Sequence, residues 1–363
     1  MSREGLEVRV SIERLLLALI LVIVPLSILG LIFAETSYRA LDRAVGADFK
    51  TIAQLYSQQV SQSIRERLND VTTIASDPTV LHAVTGGGTS SGHNAENSET
   101  AGLPSGVLNS NASQFLKQRR ASEPQYLSIV VTNTNGQVVA ASQPGVKPSY
   151  SQDAAWQAAY NNGQGATQIS NVIDDEFTKS YYVNVNEPVR DPNSGATVGV
   201  VSAAVSISDV LTRFRETQVG NGATLELVND DGTVISSRNV DVFSNVKSRG
   251  FDAVHDALLG LHSGQSGWVR AGLPNGPWII GFAATTLKQR FPNLGWIVMV
   301  SQDERLAAAP VLGLIRFALI MVVLAGFMLT LLCVYYFLHR SQRFSHIEEE
   351  EGARPDRYRS ATA

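Results

Sequence analysis

Tyr182-Val-Asn-Val-Asn186 alternates polar and apolar side chains, so an extended chain there places Val183 and Val185 on one side and Tyr182, Asn184 and Asn186 on the other. The apolar side requires packing, and the polar side requires water or a small polar molecule. Tyr150, Trp156 and Tyr160 upstream supply rings for stacking, Asp174 and Asp175 stand just before the strand, and Asp153 and Asp175 favour an amine or a hydroxyl-rich compound. These residue types suit reversible recognition in a small pocket lined by aromatics. Each also has a plainer role: Trp156 as a core anchor, Asp174-Asp175 as a turn, and Tyr182, Asn184 and Asn186 as a solvated face.

Catalysis has little to work with. The histidines, His82, His93, His255, His262, His339 and His346, show no metal-ligand spacing, and no Gly-x-Ser-x-Gly elbow is present. The single cysteine, Cys333, lies within a long apolar run, which leaves no thiol outside it for nucleophilic chemistry or a disulfide. No enzyme activity, metal or cofactor is expected. The stretch Gly86 to Asn111 is rich in glycine, serine and asparagine but has no Gly-Lys-Ser/Thr, and reads as a loop rather than a phosphate cradle. A net charge of -4 without a basic block excludes nucleic acid as a partner.

The elements that position the candidate site begin at two uncharged apolar segments, 15–34 and 317–338, each long enough to cross a bilayer as a helix. Arginines 3, 9 and 14 precede the first and arginines 340, 343, 354, 357 and 359 follow the second, which places the 1–14 and 339–363 tails in the cytoplasm and about 35–316 outside the membrane. From Leu41 to Ile74, apolar residues recur in steps of three and four, predicting one long helix over 35–77 that ends before Pro78. Its stripe requires cover, from its own domain or from a second copy. Beyond it the pattern switches to period two. Ser128 to Ser142 and Thr224 to Arg238 each read as strand, turn and strand, with turn glycines Gly136 and Gly232 standing 96 positions apart. The run from Gly199 (GVVSAAVS) and that from Gly295 (GWIVMVSQ) share the same offset, so two similar α+β modules are expected, about 113–210 and 211–303.

At this point the residues resemble a known family. The run from Tyr150 through Trp156 to Tyr160, then Gly165 to Asn171, Asn186-Glu-Pro188-Val189-Arg-Asp191, and the ending Pro292 to Gln302 are similar in order to the double Cache sensor domain. The resemblance covers about 35–310 and implies tandem PAS-like antiparallel-sheet modules braced by the long helix, in a bacterial receptor that binds a small molecule in its membrane-distal module. It also implies a homodimer along the long helix. Members that bind amino acids carry an arginine two residues before this tryptophan and a tyrosine directly after it. In this chain those places hold Ala154 and Gln157, so amino acids are disfavoured as ligands. The 25 residues from His339 hold no output domain, so the expected role is a sensor acting through a separate cytoplasmic or membrane partner. The alternative is a non-catalytic envelope adaptor that uses the fold as a protein-binding surface.

Overall fold

The computed structural model describes residues 12–86, 103–175, 180–220, 222–240, 245–259 and 265–309 and part of 316–337; side chains of the first helix are described from Ala40 on, with Thr36. The chain divides into two units, 42–307 and 1–41 with 308–363. In the second unit, the described residues of 316–337 are helical, and Leu319, Ile320, Val323, Phe327 and Phe337 are exposed. Among the described residues no helix is long and apolar enough to cross a membrane. The side chains of 15–34 lie outside that description, and those of 317–338 lie within it only in part.

In the unit 42–307, helix α1 (Ile12–Ala75) runs on from its earlier residues and ends two positions before the expected boundary. Asp77 then caps helix α2 (Pro78–Thr85), accepting from the Thr79 amide at 2.8 Å, with the proline in the first turn where a missing N–H costs nothing. Helices α3 (Ser105–Leu108) and α4 (Asn111–Ser122) precede the first sheet.

Strands β1 (Tyr126–Asn133), β2 (Val138–Ala141), β3 (Gln168–Ile169), β4 (Ile173–Asp175), β5 (Ser180–Arg190) and β6 (Thr197–Ser206) form an antiparallel sheet in the order β2-β1-β6-β5-β3, with β4 also on β5. Helix α5 (Ala154–Tyr160) lies inside this module, and α6 (Ser208–Glu216) leads out of it. Strands β7 (Thr224–Val228), β8 (Val234–Ser237), β9 (Ser266–Leu273), β10 (Gly276–Ala284) and β11 (Ile297–Asp303), with helix α7 (Phe251–Leu259), build a second sheet in the order β8-β7-β11-β10-β9.

The two orders are the same. The turn glycines Gly136 and Gly232 sit at φ 76° and 85°, a region open to glycine, and each donates its amide to the asparagine three residues earlier at 3.0 Å. The first hairpin shifts register between Val131 and Thr132, the second at the equivalent place, between Leu227 and Val228. The last strands depart from the expected offset by one residue. Thr132 pairs with Val200 but Val228 pairs with Ile297, so Gly199 corresponds to Trp296 and not to Gly295. That residue matters, because a slip of one would turn Val298 and Val300 away from the core they share with Val201 and Ala203.

That core is continuous. Phe49, Val60, Ile64, Leu68, Val71 and Ile74 of α1 pack in one cluster with Ile129, Val131, Val183, Val185, Val201 and Ala203 of the first sheet and Leu225, Leu227, Ile279, Val298 and Val300 of the second. The stripe is covered by the chain's own modules, so it cannot serve as the exposed surface that called for a second copy. Against the second sheet the helix comes backbone-close: a Cβ on Gly281 would collide with the main chain of Phe49 and Lys50, and one on Gly46 with the Trp268 ring. The Ser57 hydroxyl reaches the Ala284 carbonyl at 2.9 Å across this contact.

Gly281→Ala is expected to lower stability by about 1–3 kcal/mol through overpacking. Val60→Asp is expected to cost on the order of 4 kcal/mol by burying a carboxylate. Urea unfolding followed by circular dichroism measures both, and a change within about 0.5 kcal/mol in either would contradict the packing.

Candidate functional site

Strand β5 has two unlike faces. Val183 and Val185 are fully buried against α1, as the alternation requires, and Tyr182, Asn184 and Asn186 point the other way. Pairing with β6 places Ser206 beside Tyr182, Ala204 beside Asn184 and Ser202 beside Asn186. These small residues leave room above the sheet; the run GVVSAAVS carries that signal in the sequence, although small residues by themselves do not mark a site. Asn186 is buried and its Oδ1 accepts from the Ser202 hydroxyl at 2.6 Å, so the floor of this face is already ordered.

Helix α5 covers one end of the face. Asp153 is its N-cap, accepting from the Ala155 and Trp156 amides at 2.9 and 3.3 Å. The Trp156 ring is 5% exposed, packs with Ala159 and Val200, and stacks on Tyr160 at 5.2 Å and 21°. Its indole N–H donates to Thr132 Oγ1 at 2.7 Å, and that hydroxyl donates onward to the Val200 carbonyl at 3.1 Å. Tyr150 fills the gap between this cluster and the first hairpin, and burial, aided by Asp153, pushes its phenol above the usual range. Tyr182 is raised likewise by burial and by Asp175.

The candidates therefore fall into two groups on one sheet. Tyr150, Asp153, Trp156 and Tyr160 surround the Val200 end; Tyr182, Asn184 and Asp175 lie toward the Ser206 end. Val200 and Ala204, opposite Asn184, are four residues apart on β6, or roughly 13 Å at the strand rise. Asp174 belongs with neither group. It pairs with Tyr181 while Asp175 pairs with Ser180, so the two carboxylates occupy opposite faces, and Asp174 is exposed on the side of α1. Asp153 acts first as a helix cap, and Trp156 first as a buried anchor. Ser202 and Thr132, which carry no site signal in the sequence, join the face together with Asn186. Among the described residues there is no cluster of three or more histidine, cysteine or carboxylate groups able to hold a metal.

A long helix braced against two antiparallel sheets of identical strand order, one with a polar face roofed by a short aromatic helix, defines an α+β sensor-type ligand-binding domain. The chain belongs to the Cache domain family, whose double Cache model matches residues 37–311. Cache domains are extracytoplasmic sensor domains of chemoreceptors and kinases, a ligand-binding and typically non-catalytic family. Among solved structures, the sensory domain of the Campylobacter jejuni chemoreceptor Tlp3 is 13% identical, with 75% of this chain and 99% of that one covered and a TM-score of 0.54. The Tlp3 ligand-binding domain in complex with 4-methylisoleucine gives 13% identity, 74% and 94% coverage and a TM-score of 0.53. The ligand-binding domain of the Pseudomonas aeruginosa amino acid chemoreceptor PctC with GABA gives 13%, 70% and 97%, and 0.48. No curated protein matches the chain.

Trp156→Phe keeps a ring but removes the donor to Thr132, and is expected to cost about 1–2 kcal/mol; Trp156→Ala is expected to cost about 3–5 kcal/mol. Asn184→Ala should stay within about 0.5 kcal/mol of the parent. Chemical denaturation checks the series, and an Asn184 variant more damaging than Trp156→Ala would reverse the division between anchor and free polar face.

Proposed function

We propose that this chain is a membrane-anchored extracytoplasmic sensor, with helical spans at 15–34 and 317–338 and the membrane-distal module at about 113–210, whose polar sheet face binds a small molecule. The observation that carries this reading is the face itself: Tyr182, Asn184 and Asn186 stand over the small residues of β6 on the side of the sheet that the α1 core leaves free. The exposed apolar residues of the helical stretch after Arg316 support the second span.

Signal passage has a physical route in this reading. Arg67 on α1 donates to the Ser206 carbonyl at 3.1 Å and pairs with Asp209 at 2.6 Å, so the helix grips the end of β6 and the start of α6. At the other end, Arg270 forms a two-pronged pair with Glu304 at 2.6 and 2.8 Å and lies 4.0 Å from Asp42. It thus joins the points where the chain enters and leaves the module. A ligand shifts this assembly only by binding one arrangement better, about tenfold for each ~1.4 kcal/mol. A separate membrane or cytoplasmic partner reads the shift, and a homodimer along α1 would use its outward face around Leu55, Gln58 and Gln62.

The ligand class stays wide. Ala154 and Gln157 argued against amino acids, but nothing in the comparisons supports setting them aside, and Tlp3 is seen with L-valine and with isoleucine bound. The test is a thermal-shift screen of the full chain in nanodiscs against amino acids, amines and polyols. A compound that raises the midpoint in the parent and fails in Asn184→Ala and Tyr182→Ala is expected; no shift from any compound, or shifts unchanged in both variants, would contradict the site. Topology is read separately, by placing a single cysteine at Ser122 in a Cys333→Ser background. An impermeant maleimide should label it in intact spheroplasts, and labelling only after lysis would contradict the orientation.

A further inference from the structure

A cleft of 620 Å³ opens where the β3–β5 edge of the first sheet meets the 290–293 segment of the second module. It is separate from the polar face around Tyr182 and Asn184, and its lining includes Gln168, Glu187, Arg190, Arg290, Phe291 and Asn293. Glu187 lies at only 8% exposure, and its Oε2 has no hydrogen-bond partner among the described residues. Buried carboxylate oxygens are rarely left without a donor. Burial raises the Glu187 pKa, opposed by the hydroxyls of Thr167 and Thr72 and by the Arg290 and Arg190 guanidiniums.

The two arginines are held in place but not used up. Arg190 donates to the Gly165 and Gly195 carbonyls, and Arg290 donates to Thr167 Oγ1 at 3.4 Å while lying 5.3 Å over the Phe291 ring. A guanidinium carries five N–H donors, so both keep donors for an anion. Two cations and one carboxylate leave the cleft a single positive charge in excess. A monoanion neutralises that excess, whereas an amino-acid zwitterion leaves it standing. The unpartnered Oε2 asks for a hydroxyl donor, and the amides of Gln168 and Asn293 suit further hydroxyls. The apolar face of Phe291 suits the C–H face of a polyol.

We propose that this cleft at the module junction is a second ligand site that takes a hydroxylated monocarboxylate of sugar-acid size, its carboxylate on Arg190 and Arg290 and a hydroxyl on Glu187. Because the site touches both modules, occupancy links the first sheet to the second without involving the polar face.

Isothermal titration of the full chain in nanodiscs with D-gluconate tests this, with sorbitol as the polyol lacking a carboxylate, hexanoate as the carboxylate lacking hydroxyls and L-alanine as the zwitterion. Gluconate is expected to bind at least about tenfold more tightly than any of the three, a difference of one charge-assisted contact set. Arg290→Ala and Glu187→Met should each weaken it about tenfold, with the Glu187→Met melting midpoint at pH 7 equal to or above the parent. Asn184→Ala should leave gluconate binding unchanged. Gluconate no tighter than the three controls, binding indifferent to both cleft variants when these are folded, or loss in Asn184→Ala alone would each overturn the proposal.

Discussion

One apolar stripe on one helix holds this domain together. The residues from Phe49 to Ile74 on α1 are the shared wall of two sheets, joined in the same core by Val80 of α2 and Leu116 of α4 beside the first sheet and by Leu211 and Phe214 of α6 beside the second. Burial of such aliphatic side chains is worth about 1.5–3 kcal/mol each, so the helix contributes to the cohesion of both modules at once. The contact differs along its length. At Gly281 the main chains nearly touch and at Gly46 the helix makes way for the Trp268 ring, while farther along Ile64, Leu68 and Val71 fill the distance with side-chain volume.

This arrangement decides what each sheet can do with its other face. Because the α1 side of β5 is committed to Val183 and Val185, Tyr182, Asn184 and Asn186 of the same strand lie on the face away from that core. Because Trp156 is fixed through Thr132 to the Val200 carbonyl, α5 is a stable roof and not a loop that must order on binding. Preorganisation of this kind lowers the entropic cost of binding. The same helix carries Arg67 and the Asp42 end of the Arg270 cluster, so one element connects the first sheet with the place where the chain leaves the domain.

The local pattern of the sequence carried the helix, the hairpins and the two-faced strand, since steps of three and four and alternation by two are dictated by backbone geometry. The identity of the family was legible in the order of short runs from Tyr150 to Gln302. The facing of Asp174 was not, because a three-residue strand can enter its sheet on either parity and only the pairing with Tyr181 decides it. Nor was the choice at Trp156 between core anchor and ligand-stacking ring, because its partner Thr132 lies on a distant strand. The module-junction cleft was the least visible: Gln168, Glu187 and Arg290 come from three remote segments, and Glu187 read only as part of a family motif. The later strands showed the repeat one residue out of register because sequence identity at a glycine outweighed the face on which the neighbours pack.

The central claim is that α1 makes the two modules a single cooperative body. Differential scanning calorimetry of the full chain measures this most directly when run on the parent, on Phe49→Ala near the second sheet and on Val71→Ala toward the first. The account predicts one transition for 42–307 that moves down in both variants. Two resolved transitions, each displaced by only one of the substitutions, would contradict it.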